Sequence, residues 1–161
     1  TLLHAAVVNG SIDLVKTLLG QGAKVDVKDV NENTPLHYAA STGHLEVAEL
    51  LIGKGAPLNA KNKKSMEPLY AAILSDDVKV WDYFMKKTDP HSKHDTVKEI
   101  IDRRLTRGIT PLMIAIENEC INMFNYFLRL GANVNVLDED GRSAVHWAAE
   151  KGNGVLLFSK C

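Results

Sequence analysis

Six histidines, two cysteines and the carboxylates near them are the residues of this chain best suited to chemistry. His91, His94 and Asp95 lie close enough in sequence to suggest zinc. Zinc asks for three or four ligands in a closed tetrahedron, and no cysteine is near, so they read as solvated loop residues. His4, His37 and His146 hold one place in a recurring phrase, which points to a repeated structural duty rather than to catalysis or metal binding. Cys120 opens an expected helix, where the dipole could lower a thiol pKa. It has no histidine partner and no surrounding motif, so it reads as a free thiol. Neither G-x-x-x-x-G-K-[ST] nor G-x-G-x-x-G occurs to cradle a phosphate, and no G-x-S-x-G elbow is present. Gly152-Asn153-Gly154 is a fragment without a preceding strand. No catalytic residue, cofactor or metal is expected.

The elements that carry these residues repeat. The phrases Thr1-Leu2-Leu3-His4-Ala5-Ala6, Thr34-Pro35-Leu36-His37-Tyr38-Ala39-Ala40, Glu67-Pro68-Leu69-Tyr70-Ala71-Ala72, Thr110-Pro111-Leu112-Met113-Ile114-Ala115 and Ser143-Ala144-Val145-His146-Trp147-Ala148-Ala149 begin 33, 33, 43 and 33 positions apart. A fixed period of this size means stacked supersecondary units. The second unit is the clearest. Asp29 to Asn33 supplies turn residues, and Pro35 suits a first helical turn. A short helix follows from Leu36 to about Ser41, and Gly43 breaks it. A second helix begins near His44, with Leu45, Ala48, Leu51 and Ile52 on one face. Gly55-Ala56 closes it, and Pro57-Leu58-Asn59-Ala60 runs extended to the next turn. The same stripe recurs as Ile12, Val15, Leu18, Leu19, as Val78, Trp81, Phe84, Met85, and as Ile121, Phe124, Phe127, Leu128. One such helix pair cannot bury both faces, so each must lean on its neighbours. The paired alanines of the phrases are small enough to let the helix layers approach closely.

The T-P-L-H-x-A phrase, the G-H-L-E-V-A-E-L-L-I helix, the G-A-x-V-N close and the D-x-x-G turn resemble the ankyrin repeat over nearly the whole chain. The resemblance implies an all-α repeat solenoid: helix–turn–helix layers joined by β-hairpin fingers. About four and a half repeats, starting at 1, 34, 67, 110 and 143, would form one domain over 1–161 or part of a longer array. It also implies that the phrase histidines hydrogen-bond loop backbone between repeats. A protein or peptide would bind on a concave face of fingers and first helices. Carried over residue by residue, that face holds Val30, Asn31, Asn33, Ser41 and Thr42 in the second repeat and Lys63, Lys64, Met66, Leu74 and Ser75 in the third. The fourth repeat, its finger replaced by an insertion, keeps Glu117 and Asn118. The fifth contributes Glu139, Asp140, Arg142, Glu150 and Lys151. Met66 and Leu74 are apolar at variable positions, and read either as contact anchors or as residues packed beneath the insertion. Asn59 and Asn135 resemble finger asparagines that some ankyrin repeats offer to a hydroxylase.

The departures are informative. The third repeat has Glu67 and Tyr70 for the phrase Thr and His, Asp76 for the inter-helix Gly, and a turn, Asn62 to Met66, without D-x-x-G. In the fifth, the stripe returns one residue out of register as Val155, Phe158 and Cys161. Neither end looks capped: Leu2 and Leu3, and Leu157 and Phe158, are expected to be exposed. A longer chain is expected on that ground. The ten extra residues of the 43-residue interval fall within 88–109. There Asp95 to Leu105 reads as an amphipathic helix, with a Thr96–Glu99 capping box and Val97, Ile100, Ile101 and Leu105 on one face. It either covers the stack or helps to form a partner site.

Apolar residues make up 45% of the chain and charged ones 24%, the balance of a folded domain. With 19 basic and 20 acidic residues, nucleic-acid binding and direct membrane contact are not expected. Local charge does cluster. Lys61, Lys63 and Lys64, with Lys28 and with Arg103, Arg104 and Arg107, read as solvated fingertips or as attraction for an acidic peptide or phosphoinositide. Asp138, Glu139 and Asp140 make an acidic finger. The cysteines Cys120 and Cys161 form no disulfide framework, which fits a reducing, cytoplasmic setting. The leading expectation is a non-catalytic protein-interaction scaffold. Two alternatives stand: an array segment of a membrane-associated channel or secreted pore-forming toxin, and a targeting module for a catalytic domain outside this chain.

Overall fold

The computed structural model describes residues 1–88 and 97–152. The His91–Asp95 stretch, Thr96 and the second helix of the fifth repeat therefore lie outside the described residues. The chain divides into two compact units, Thr1–Pro90 and His91–Cys161.

The first unit contains α1 (Leu2–Val8), α2 (Ile12–Gly20), α3 (Pro35–Thr42), α4 (Leu45–Gly53), α5 (Pro68–Ala71), a 3-10 turn over Ala72–Ser75, and α6 (Val78–Thr88). The second contains α7 (Val97–Ile101), a 3-10 turn over Thr106–Gly108, α8 (Pro111–Glu117), α9 (Ile121–Arg129) and α10 (Ala144–Glu150). Each unit is an all-α repeat stack of the solenoid kind. The phrases start the inner helices. Thr34 and His37 make a reciprocal capping box around the N-terminus of α3, with Pro35 in its first turn. The inner helices then stack, α1 on α3 and α3 on α5 in the first unit, α8 on α10 in the second. The link between paired helices is left-handed at Gly10 and Gly43 (φ 67° and 77°). Asp76 and Glu119 keep that conformation at φ 51° and 57°, at a cost of about 1 kcal/mol each relative to glycine.

Ala39, Ala40, Ala72 and Ala148 are buried, as the close approach of layers requires. The outer helices bury Val47, Ala48 and Leu51, then Val80, Trp81 and Phe84, then Met123, Phe124 and Phe127. In α4, α6 and α9 the two middle positions of the expected stripe are thus buried, while its ends are not. Ile121 is 49% exposed, and the buried position is that of Val47, Val80 and Met123. Its first-repeat counterpart, Leu14, is exposed. At the start of the chain Leu2 is 64% exposed, but Leu3 is buried, contrary to expectation, because it points into the inner layer.

The fingers are turns rather than paired strands; no strand forms among the described residues. Each is closed by one backbone bond from its first N–H to its fifth carbonyl: Asp29 to Asn33 (3.0 Å), Asn62 to Met66 (3.1 Å), Leu105 to Ile109 (2.8 Å) and Asp138 to Arg142 (2.9 Å). The fourth residue of each is left-handed: Glu32, Ser65, Gly108 and Gly141. The third finger therefore forms without D-x-x-G. The insertion does not replace the fourth finger either, since Leu105 to Ile109 forms it at the usual distance before Thr110. The insertion lies earlier, and its helix is only Val97–Ile101. Leu105 belongs to the finger, not to that helix, because its N–H closes the turn. Ile101 is buried. Lys98 Nζ donates to Gly131 O (2.6 Å), and Asp102 Oδ1 accepts the Asn133 N–H (2.8 Å). The inserted helix thereby holds the loop that follows α9.

Candidate functional site

A carboxylate or amide at the start of a finger organises its backbone. Asp29 Oδ1 accepts the N–H groups of Asn31 and Asn33 (2.9 and 2.8 Å). Asn62 Oδ1 does the same for Lys64 and Met66 (2.9 and 3.0 Å), and Asp138 Oδ1 for Asp140 and Arg142 (3.0 and 2.8 Å). Leu105 has no such acceptor, so the fourth finger relies on backbone alone. Neighbouring fingers are tied together: Lys63 N–H donates to Asn31 O, and Glu139 N–H to Arg107 O, both at 3.0 Å. Asn62 Nδ2 reaches Asn33 Oδ1 at 2.8 Å. The phrase histidines complete the links. His37 Nδ1 accepts the Thr34 N–H (3.1 Å), while Nε2 donates to Met66 O (2.9 Å). His4 Nε2 donates to Asn33 O at 3.1 Å. Burial pushes the pKa of both rings down, and this keeps the neutral tautomer the network needs.

The residue after the phrase histidine faces the finger. Tyr38 Oη donates to Asp29 Oδ2 at 2.6 Å, and Trp147 Nε1 donates to Asp138 Oδ2 at 2.9 Å. Burial raises the Asp29 carboxyl, but the Tyr38 hydroxyl and the finger N–H groups outweigh it and leave its pKa below the ordinary value. Asp138 is likewise lowered: burial opposes, while the Arg142 and Asp140 N–H groups, the indole and the guanidinium prevail. In the third repeat this position is Ala71. Its small side chain leaves a groove of ≈ 370 Å³ between the second and third fingers.

Asn31, Asn33 and Ser41 of the second repeat, and Lys63, Lys64, Met66 and Leu74 of the third, all line that groove. His37, Tyr38, Asn62 and Ala71 line it too and are not among the residues expected on the partner face. Reading Tyr38, Ala71 and Trp147 down one column of the repeats would have found the gap. Val30 is 81% exposed on its fingertip, outside the groove lining. Thr42 and Ser75 turn their hydroxyls back to Tyr38 O and Ala72 O at the far ends of their helices. Lys28 reaches Lys61 O and pairs with Glu32, both at 3.3 Å.

In the second unit the candidates engage one another. Arg142 lies within ion-pair distance of Asp138, Asp140 and Glu150 and stacks 4.8 Å from the Trp147 ring centroid. Arg107 holds Asp140 at 2.7 Å. Glu117, Asn118 and Lys151 are exposed at the C-terminal ends of α8 and α10, and Asn118 Nδ2 caps Ile114 O (2.9 Å). Cys120 is buried, which removes the accessibility a reactive thiol requires. Among the described residues no group of three His, Cys, Asp or Glu is arranged to hold a metal, and no helix is long and apolar enough to cross a membrane.

The stacked helix pairs, the finger turns and the histidine links define a class of helical repeat. A family described as ankyrin repeats, three copies, matches residues 3–94 and again 91–158, and the chain belongs to the ankyrin-repeat family. Such repeats generally mediate protein–protein interactions and are typically not catalytic. Among relatives, the chain is 40% identical over 63 residues, 37% of its length, to neurogenic locus notch homolog protein 1 of Xenopus tropicalis. It is 37% identical over 62 residues, again 37% of its length, to neurogenic locus notch homolog protein 2 of Homo sapiens. It is 43% identical over 60 residues, 35% of its length, to ankyrin repeat domain-containing protein 63 of Mus musculus. The matched segments span 2% of the two notch homologs and 15% of the third protein.

Proposed function

We propose that this chain is a non-catalytic scaffold that docks a partner protein across its fingers and inner helices, chiefly along the second and third repeats. One observation carries the reading. Seven of the residues expected on the partner face gather around a single groove, whereas Asp140, Arg142 and Glu150 of the fifth repeat pair with one another. A groove on a hydrogen-bonded frame leaves room for a partner's side chain; a space filled by the repeat's own side chains does not. One continuous five-phrase array and a cytoplasmic setting belong to the same proposal. The test is affinity capture with the wild-type chain and with a combined Lys63/Lys64/Met66/Leu74 surface variant. Partners lost only with the variant support the assignment; retention of every partner overturns it.

A further inference from the structure

We infer that the groove between the second and third fingers receives one bulky apolar side chain of a partner peptide, with flanking carboxylates met by Lys61 and Lys63. This rests on the scaffold reading above and adds the chemistry of the occupant.

The shape comes first. Tyr38 and Trp147 fill the equivalent space in their own repeats with aromatic rings, and Ala71 leaves it vacant. The vacancy is therefore ring-sized. Its floor is apolar: Ala71 is buried, and Met66 and Leu74 border it, with Leu74 40% exposed. An exposed leucine beside a ring-sized gap gains most from covering by an apolar anchor.

The backbone narrows the mode of binding. Asn31 O accepts Lys63 N–H, and Asn33 O accepts both Asp29 N–H and His4 Nε2. These carbonyls already accept within the finger frame, which favours recognition through side chains over an added strand. Charge gives the rest. Lys61 and Lys63 are exposed and carry no ion pair among the described residues, while Lys28 is held by Glu32. Asp29 keeps its charge but turns its oxygens to Tyr38 and two finger N–H groups and pairs with neither lysine. The surplus positive charge selects acidic flanks and speeds encounter with them. A phosphoinositide headgroup would leave the apolar floor wet, so a peptide is the better occupant.

The experiment pans a random peptide display library on the full chain and measures the enriched sequence as a fluorescein-labelled synthetic peptide. Enriched peptides are expected to share one bulky apolar residue flanked by Asp or Glu. Ala71→Tyr, which closes the gap as Tyr38 does, is expected to weaken binding about tenfold or more with an unchanged melting curve. Leu74→Lys serves as a second variant should Ala71→Tyr misfold, and is expected to weaken binding to a similar extent. Paired Lys61→Glu and Lys63→Glu changes are expected to weaken binding about fivefold, in a manner that added salt masks. Peptides of another pattern, or none, overturn the inference, as does binding to phosphatidylinositol bisphosphate vesicles in preference to peptide. Peptides indifferent to Ala71→Tyr and Leu74→Lys but lost on reversal of Glu139, Asp140 and Glu150 also overturn it, while leaving the scaffold reading standing.

Discussion

The third and fifth fingers are the same turn with opposite surroundings. Each begins with a side chain that accepts two backbone N–H groups, and each has its fourth residue left-handed. Nine residues on, the fifth repeat has Trp147, locked to Asp138 and covered by Arg142, and the third has Ala71 beside a groove. Backbone geometry is thus preserved while the space above it is either filled or vacated. A repeat fold separates these two duties: the turn is set by local hydrogen bonds, and availability to a partner is set by one side chain facing it.

The largest expected effect tests the filled side. Trp147 is buried, donates its indole N–H and supports the Arg142 guanidinium. Trp147→Ala should destabilise the second unit by about 3–5 kcal/mol, through lost packing and an exposed cavity. Urea unfolding followed by far-UV circular dichroism reads it. A cost under about 1 kcal/mol would show that the closed network is a surface ornament, since changes away from buried features fall in that range, and would erase the contrast with the third finger.

The period, the helix pairs and the finger positions were legible from sequence because each rests on local rules: proline in a first turn, a left-handed break, an apolar stripe. Three features were not. The outer-helix core runs through Val47, Val80 and Met123 because neighbouring layers, absent from a single-helix pattern, choose which flank is covered. The fourth finger hid behind the insertion because Leu105 looks like an extension of a helical stripe, yet its N–H is needed by Ile109. The groove was half legible. Its lysines and Leu74 stood out as departures, but its depth comes from Ala71, which looks unremarkable until compared with Tyr38 and Trp147.

A middle-sized effect separates the two units by acid. His4 and His37 have pKa values lowered, first by burial. A depressed folded-state histidine means that the unfolded chain binds more protons below the ordinary value of about 6.5. Stability of the first unit is therefore full above that pH and is lost as pH falls toward the depressed folded values. Asp29 adds a second loss lower down, because its lowered pKa stabilises above the unfolded carboxylate value of about 4 and is lost as pH falls through the folded one. In the second unit Asp138 contributes in this lower window. Trp81 reports the first unit and Trp147 the second, so single-tryptophan variants with the other changed to Phe resolve them by fluorescence. The first unit should weaken as pH falls below about 6.5, and His37→Gln should reduce that slope. An unchanged slope in the variant would remove the histidine links as its cause.

The smallest effect asks whether a missing link can be restored. In the fourth repeat Met113 stands at the phrase histidine position, fully buried, with its sulfur 3.5 Å from the Thr110 N–H. Thioether sulfur is a weak acceptor and donates nothing. His37 lies 29 residues before the carbonyl it reaches at Met66, and the same step from position 113 leads to Arg142. Arg142 O already accepts the Asp138 N–H, as Met66 O accepts that of Asn62, and a carbonyl has two lone pairs. Met113→His should then satisfy the Thr110 N–H through Nδ1 and tie the fifth finger through Nε2, raising stability by about 0.5–1.5 kcal/mol at neutral pH. The gain should vanish below about pH 6, because a charged ring can no longer accept from Thr110. Destabilisation at neutral pH would mean that the fourth repeat, whose finger lacks an acceptor at Leu105, is built on packing where the second is built on hydrogen bonds.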